Sequence, residues 1–328
     1  MKKILLTFDY ELFLLQSGSI ENCIIKPVDL LLKTFDKTNI KAVFFVDILF
    51  LLQLEKEGLK SDYELVEKNI QLLIEKGHQV ELHLHPHWID AKYNAISQEW
   101  NLSKYENYKL QSLNQKDLNS IFDQGYNKLT KICQTVNPNY KITSFRAGGL
   151  CIQPFNVLKP LFEKYNIKID SSVLVGGKID SPAQSYDFTL APKKEIYKFE
   201  DEPSLEVKKG SFTQIPIFTY KKNLIDKILG KIQRNNSEEF KIFGDGKALP
   251  PKSSLRVNKL SKLKSDSYIY SLDGNFNDKL LLNKIISSNQ QLITILSHPK
   301  LLSPKSADMI KKLHEMGNQF VTISDLNI

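Results

Sequence analysis

The chain has 328 residues, of which 41% are hydrophobic and 25% charged, and these fractions are typical of a soluble globular protein. Its three cysteines have no CxxC spacing, which argues against a disulfide framework or a Cys-based zinc site and predicts a reducing compartment. Asp9 and Glu11 interrupt the apolar N-terminus, and the longest apolar stretch, residues 42–54, is too short to span a bilayer. We therefore predict a cytoplasmic protein, with the inner face of the membrane as a second location.

The net charge of +8 is concentrated in one part of the chain. Residues 221–264 hold twelve Lys and Arg against four acids, so this segment alone accounts for the whole excess. Such a block suggests an anionic partner, although many basic segments are simply solvated surface. Residues 223–233 within it predict an amphipathic helix of the kind that lies on membranes, and an ordinary surface helix fits equally well.

Segments with strand and helix patterns alternate from the start of the chain, which favours a parallel α/β sheet. The first predicted elements are strand 3–8, helix 27–37, strand 42–46, helix 63–76 ending at Gly77, and strand 79–85. Residues 89–113 are polar, lack periodicity and predict a loop that carries substrate contacts.

The remaining elements continue the same pattern. They are helix 117–133, strand 141–145, helix 153–165, strand 167–169, strands and turns in 176–220, strand 268–272, helix 278–287, strand 291–296, helix 304–316 and strand 319–323. We predict one domain spanning 1–328, with an elaborated insertion at about 176–266.

Four of the six histidines fall within residues 77–88. Alternation along the predicted strand places His83 and His85 on one face, and Pro86 places His87 on the turn that follows. Histidine is the commonest zinc ligand, so the cluster predicts a transition-metal site. His78 follows the pattern of the preceding helix and is predicted to be a surface residue.

Polar side chains recur where predicted strands end. They are Asp9, Glu11, His83, His87, Arg146, Asp170 and His298. In parallel α/β barrels, active sites form at this end of the strands because the loops converge there. Two imidazoles and one carboxylate make a zinc-type site that leaves one coordination position open for water. A second carboxylate can then act as general base, and a separate histidine can act as general acid. Arg146 could hold the base carboxylate ionised. The set predicts hydrolysis of an amide or ester.

These segments resemble, in order, the motifs of the polysaccharide deacetylase family, also called the NodB-homology family or carbohydrate esterase family four. The matching segments are Thr7-Phe8-Asp9-Tyr10-Glu11, Gly77-His78 with His83 to His87, Arg146-Ala147-Gly148-Gly149, Ile169-Asp170-Ser171 and Leu296-Ser297-His298. The resemblance covers the chain from residue 4 to about 300. It implies an α/β fold, a distorted (β/α) barrel.

The resemblance also implies roles for individual residues. Asp9 would be the catalytic base, His83 and His87 metal ligands, His298 the general acid, and Asp170 or a neighbour its tuning partner. His85 lies between these two ligands in the sequence, and we predict that it supports them, with replacement of one of them as the alternative.

Two departures from the family pattern affect these roles. Tyr10 stands where the family has its metal-binding Asp, so Glu11 is predicted to replace it, since residues two apart in an extended segment can face the same side. The loop that starts at Arg146 lacks the usual prolines, so the substrate could differ from a chitin-like polymer. Residues predicted to line a substrate site are Tyr10, Trp88, Gly148 and Gly149.

We therefore predict a deacetylase that depends on a divalent metal, zinc before cobalt or nickel, and removes an N-acetyl or, as a second choice, an O-acetyl group from a carbohydrate. Its substrate would be a nucleotide- or lipid-linked intermediate of surface-polysaccharide synthesis, an anionic partner for residues 221–264, with no nucleic-acid partner. One alternative is a metal hydrolase of the HxH type, with His83 and His85 as ligands. Another is a non-catalytic member of the fold that binds carbohydrate.

Overall fold

The structure of the protein, a computed structural model, describes residues 1–102, 105–221, 238–248, 267–274 and 276–328. The predicted helix 223–233 and most of the basic segment 221–264 lie outside these ranges. Within them, no helix has both the length and the hydropathy required to cross a membrane.

A curled parallel sheet is the centre of the described structure. The strands of this sheet and of three small two-stranded antiparallel sheets are β1 (Lys3–Tyr10), β2 (Val43–Asp47), β3 (Gln79–Leu84), β4 (Lys92–Asn94), β5 (Glu99–Asn101), β6 (Ser144–Ala147), β7 (Ile169–Asp170), β8 (Lys178–Asp180), β9 (Ser185–Asp187), β10 (Tyr197–Phe199), β11 (Phe212–Gln214), β12 (Thr219–Lys221), β13 (Ser267–Ile269), β14 (Leu292–Ser297) and β15 (Gln319–Val321); the small sheets are β4-β5, β8-β9 and β12-β13. The curled sheet runs β10-β11-β7-β6-β3-β2-β1-β14, and β15 also pairs with β1. Within it, only the β10–β11 pair is antiparallel.

The two ends of this sheet approach each other beyond β11. Ile217 N–H donates to the Val173 carbonyl at 2.9 Å, and the next amide, that of Phe218, donates to the Thr294 carbonyl of β14 at 2.9 Å. The sheet is therefore a half-barrel bridged at this seam by a single interstrand backbone hydrogen bond among the described residues. The predicted distorted barrel of parallel strands is confirmed in this form.

Seven α-helices accompany the strands within the described ranges. They are α1 (Lys26–Thr38), α2 (Ile48–Lys56), α3 (Lys60–Glu75), α4 (Gln115–Val136), α5 (Lys159–Tyr165), α6 (Asp278–Ser287) and α7 (Pro304–Glu315). In α1, Val28, Leu31, Leu32 and Phe35 are buried, which is the apolar stripe predicted from their spacing.

Helix α2 was not predicted. It begins directly after β2, and the Asp47 side chain accepts a hydrogen bond from the Leu49 amide at its N-terminus. The helix is apolar around most of its circumference because it is buried, so it lacks the alternation of polar and apolar positions on which the prediction depended.

The two faces of the sheet are covered by two separate clusters of buried residues. Even-numbered residues of β1, such as Ile4 and Phe8, pack in the large cluster with the helices. Leu5 belongs instead to a small cluster with Phe45 of β2 and Leu292 of β14, on the concave face. The same face continues at the carboxyl ends of the strands with polar residues, among them Asp9. The concave side is therefore apolar near the start of the strands and polar where they end.

Residues 89–113 differ from the predicted polar excursion. Strands β4 and β5 form a hairpin, and Trp100 of β5 meets Trp88 edge-on, with ring centroids 5.3 Å apart. Both indoles are buried, so this segment packs on the barrel end through its aromatic residues.

The prediction that His78 lies on the surface is wrong. The residue is buried, its ring packs against Phe35 and Phe44, and its Nδ1 accepts a hydrogen bond from the Ala42 amide at 3.2 Å. It thereby joins the start of β3 to the start of β2.

Candidate active site

Three buried side chains converge beyond the carboxyl ends of β1 and β3. His83 Nε2 lies 3.1 Å from Glu11 Oε2 and 2.9 Å from His85 Nε2, and His85 Nε2 also contacts Glu11 Oε2. Glu11, His83 and His85 could hold a metal ion, since each offers a ligand atom to the same small volume. One carboxylate and two imidazoles are the donor set typical of a catalytic zinc site.

The tautomer of His83 fits metal binding. Its Nδ1 is 2.7 Å from the carbonyl oxygen of Arg146, which can only accept, so Nδ1 carries the proton. In the neutral ring this leaves a lone pair on Nε2, the atom that faces Glu11 and His85. Such a hydrogen bond behind an imidazole orients it as a ligand.

His85 is fixed by its backbone and by a glycine. Its amide donates to Asp47 Oδ1 at 3.1 Å, and Trp88 Nε1 donates to Asp47 Oδ2 at 2.9 Å. A Cβ on Gly148 would meet the Leu84 carbonyl oxygen at 2.5 Å and His85 Nδ1 at 2.8 Å. Gly148, predicted to contact substrate, therefore allows the close approach of the two loops that holds His85 in place.

His87 differs from its predicted position as a ligand. It lies on the short 3₁₀ turn Pro86–Asp90, with its ring centroid 5.5 Å from that of His85, and it is outside the three-residue cluster. Both ring nitrogens are buried without a hydrogen-bond partner among the described residues. Burial, and then the neighbouring His85, lower its pKa well below the usual range. The turn at Pro86 redirects His87, whereas His83 and His85 share a strand face.

A second carboxylate, Asp9, is held by a buried guanidinium. Arg146 Nη1 donates to Asp9 Oδ1 at 2.6 Å, and its other nitrogens donate to the backbone and hydroxyl oxygens of Ser171 at 2.8 and 3.0 Å. The guanidinium carbon lies 4.1 Å from the centroid of the Phe45 ring. Asp9 and Arg146 are thus brought together, as the sequence predicted.

His298 approaches both carboxylates from the loop after β14. Its Nε2 lies 3.9 Å from Asp9 Oδ2 and 3.7 Å from Glu11 Oε1. Its Nδ1 is 2.7 Å from Asp273 Oδ2, and its amide donates to Asp273 Oδ1 at 2.9 Å. Burial would lower the pKa of His298, but the three carboxylates, Asp273 foremost, raise it to about 9. The side chain remains 22% exposed, which leaves it accessible from outside the barrel end.

Asp273, and not the predicted Asp170, is thus the carboxylate that pairs with His298. Asp170 is fully buried and accepts hydrogen bonds from the hydroxyl and amide of Ser172, and it makes no hydrogen bond to His298. Burial raises the pKa of Asp170 to about 6. Its strand contributes to the site indirectly, because the following Ser171 holds Arg146.

Three further residues predicted to line a substrate site are packed against other side chains. Tyr10 is fully buried, and its hydroxyl donates to Asn69 Oδ1 at 3.1 Å on the helix side of the sheet. Trp88 is buried among Phe50 and Trp100. Gly149 has a φ of +60° and lies against the ring of Tyr108, where a side chain would not fit.

No protein-family model matches the sequence, and no curated protein matches it. Solved structures that do match include CE4 family polysaccharide deacetylases. One, from Mycobacterium smegmatis and classed as a polysaccharide deacetylase, shares 13% identity over 98% of this chain and 87% of its own, with a TM-score of 0.46. The peptidoglycan deacetylase PdaC from Bacillus subtilis shares 14% over 99% and 89%, with a TM-score of 0.39. A CE4 family pseudoenzyme from Bacillus anthracis shares 12% over 99% and 65%, with a TM-score of 0.41.

These solved structures bear the name of the family that the sequence motifs resemble. At such identities and TM-scores, they assign no role to any residue of this chain. The function proposed below therefore rests on the geometry of the site itself.

Three contributors to the site were missed in the sequence. Asp273 follows a predicted strand, as Asp9 and His298 do, and Asp47 is the last residue of β2, so the position at a strand end was an available signal. Lys300 is buried beside Glu11, and its spacing of two residues from His298 gave only a weak indication.

Proposed function

We propose that the protein is a metal-dependent hydrolase that removes an N-acetyl group from a carbohydrate. One observation carries the proposal. A carboxylate–imidazole cluster, an Asp–Arg pair and a His–Asp pair meet at the carboxyl end of one parallel sheet. These are the three components that metal-assisted amide hydrolysis requires.

Glu11, His83 and His85 are the proposed ligands of the metal, and they fit it because their ligand atoms already converge and the His83 tautomer is set. This replaces the predicted His87 by His85, as in the HxH alternative, and Asp273 replaces Asp170 as the partner of His298, while the roles of Asp9, Glu11, His83 and His298 are retained. When bound, a divalent ion would polarise the carbonyl of the acetyl group and acidify a water molecule.

Asp9 is the proposed general base. The Arg146 guanidinium binds its Oδ1 and favours the ionised carboxylate, while Oδ2 faces the open side of the site near His298. Arg146 is fully buried and the Asp9 side chain is 5% exposed, so the surrounding strands hold the geometry of the ion pair.

His298 is the proposed general acid for the departing amine. Asp273 accepts the Nδ1 proton, which directs Nε2 towards the site and stabilises the imidazolium form. A raised pKa keeps this group protonated near neutral pH, as an acid catalyst needs to be.

The proposed substrate is an N-acetylated sugar attached to a nucleotide or a lipid phosphate, and an O-acetyl ester is the second choice. The net charge of +8 supports an anionic substrate, because a positive field raises the local concentration of anions. The linkage to surface-polysaccharide synthesis is part of the same proposal.

The function is tested with the full chain freed of metal and reconstituted with Zn²⁺, Co²⁺ or Ni²⁺. Acetate release is measured from N-acetylated and O-acetylated oligosaccharides and from a nucleotide-linked N-acetyl sugar. We expect stoichiometric metal and metal-dependent release of acetate from N-acetylated substrates. Absence of bound metal in every reconstitution would refute the enzyme, and carbohydrate binding without metal would then favour the non-catalytic alternative.

A further inference from the structure

Lys300 lies on the 3₁₀ turn Pro299–Leu301, which follows directly after His298. Its ammonium group donates to Glu11 Oε1 at 2.8 Å and to the Leu12 carbonyl at 2.7 Å. Its Nζ lies 5.0 Å from the centroid of the Phe13 ring, and the residue is only 7% exposed. A buried lysine in direct contact with a proposed metal ligand is unlike a surface ion pair, which water screens.

We propose that Lys300 sets the cation affinity of the Glu11, His83 and His85 site, holding Glu11 so that one oxygen faces the imidazoles and weakening divalent-ion binding through its own positive charge. This inference rests on the proposed metal-dependent function. Lys300 is a positioning residue in this account, since it acts through Glu11.

The two oxygens of Glu11 have separate partners. Oε1 accepts the hydrogen bond from Lys300, whereas Oε2 contacts His83 and His85. A carboxylate held at one oxygen in this way has the other available to a cation. Glu11 thus offers the site one ligand atom, and Lys300 occupies the position from which a second oxygen would be supplied.

The positive charge of Lys300 determines whether its removal strengthens or weakens the binding of a divalent ion. Lys300 already balances the negative charge of Glu11, just as Arg146 balances that of Asp9. A divalent ion on Oε2 would lie close to the ammonium group with little water between them, and like charges at such distances repel strongly. Without Lys300 the negative charge of Glu11 is left for the ion to neutralise, and the lone pair of His83 Nε2 still faces Oε2.

The test measures the Kd of Zn²⁺ and Co²⁺ for the metal-free full chain, by competition with a chromophoric chelator. We expect Lys300→Met to lower the Kd by roughly tenfold or more, since it removes the repulsive charge. Lys300→Arg keeps the charge and a donor to Glu11, and its Kd is expected to stay within about threefold of the wild type. Lys305→Met is the matched control, because Lys305 pairs with Asp278 and Glu239 outside the site.

The inference would be overturned if Lys300→Met bound metal as tightly as the wild type or more weakly, or if Lys300→Arg bound it more tightly. Either result would leave the proposed metal site itself unaffected. If no variant and no wild-type chain binds metal, the proposed function itself fails. Thermal unfolding of each variant checks that it is folded, and Lys300→Gln, which keeps a polar donor without charge, replaces Lys300→Met if that variant is unstable.

Discussion

Asp9 and Glu11 lie two residues apart, yet each has its own buried cation. Arg146 binds Asp9 at 2.6 Å, and Lys300 binds Glu11 at 2.8 Å. Only Glu11 contacts the imidazoles of His83 and His85. The two carboxylates can therefore be separated by substitutions that remove charge and keep shape.

Asp9→Asn should abolish deacetylation and leave the metal bound, because His83, His85 and Glu11 are untouched while a neutral amide cannot accept a proton from water. Glu11→Gln should lose metal affinity and activity together, since it removes the charged ligand. Metal content and kcat are measured for both. Loss of metal in Asp9→Asn, with metal and activity kept in Glu11→Gln, would exchange the two roles.

The pairing of His298 with Asp273 predicts a change in pH dependence. A general acid works while it is protonated, so kcat falls as pH rises through its pKa. Asp273→Asn removes the charge that stabilises the imidazolium, so the pKa of His298 should fall and the alkaline limb should move to lower pH.

The pH–rate profile of Asp170→Asn is the comparison, because Asp170 makes no hydrogen bond to His298. Its alkaline limb should stay in place. In His298→Ala, kcat should fall by roughly 10²–10⁴-fold with metal content unchanged. Loss of metal from that variant would make His298 a ligand.

At the scale of whole elements, the hydrogen bond that links the start of β3 to the start of β2 requires the neutral imidazole of His78. Burial lowers the pKa of His78 from 6.5 to about 4, and its Nδ1 accepts the Ala42 amide. The folded state therefore binds fewer protons than the unfolded state between these values. Stability from this group is complete above pH 6.5 and is lost as pH falls towards 4.

The loss amounts to at most about 3 kcal/mol across that window. Urea unfolding of the wild type and of His78→Asn at a series of pH values checks it. The variant should be less stable at pH 7, and its stability should fall less between pH 6.5 and 4. His314→Asn, at an exposed position on α7, should follow the wild type. Parallel curves for wild type and His78→Asn would contradict the assignment.

The loop after β6 packs against the turn after β3 through a glycine. In Gly148→Ala, the new Cβ would conflict with the Leu84 carbonyl oxygen and with His85 Nδ1. We expect His85 to be displaced and metal affinity to fall by roughly 10–100-fold, the effect typical of disturbing the residues that orient ligands. Gly58→Ala is the control: its φ of +71° strains an alanine, but the new Cβ contacts no other atom, so the wild-type Kd should be retained. An unchanged Kd in Gly148→Ala would remove His85 from the ligand set.

The hydrophobic pattern along the sequence predicted most strands of the sheet, but it did not predict which side chains contact one another in the candidate active site. The strands at 3–8, 42–46 and 291–296 were recognised because fully buried strands read as short apolar runs between turn signals, and the strand at 79–85 was recognised by its alternation of apolar and polar residues. The turn at Pro86 was predicted, but the pattern alone did not show that His85 rather than His87 would lie beside Glu11 and His83. Asp273 and Lys300 reach the site only through the arrangement of loops in space, and no periodicity encodes that.

At the scale of the whole molecule, the basic segment 221–264 remains a prediction. If it contacts anionic membranes, the full chain should float with liposomes that contain phosphatidylglycerol, and added salt should release it, since counterions screen such binding. Neutral liposomes are the control. If the chain does not float with anionic liposomes at low salt, the membrane contact is excluded. Recruitment of a soluble anionic substrate would then be the remaining proposal for this segment.

The register of β1 has a consequence for synthesis on the ribosome. Residues 3–8 pair with β14, and residues 3–5 also pair with β15, so most of this strand has partners that are translated near the end of the chain. Until then only its neighbour β2 is available, and apolar residues and unpaired backbone groups stay open to other chains. Strands that lie so far apart in the sequence pair slowly, and the partly folded chain is prone to aggregate in the meantime. The nascent chain should therefore need protection by chaperones until residue 321 has left the exit tunnel.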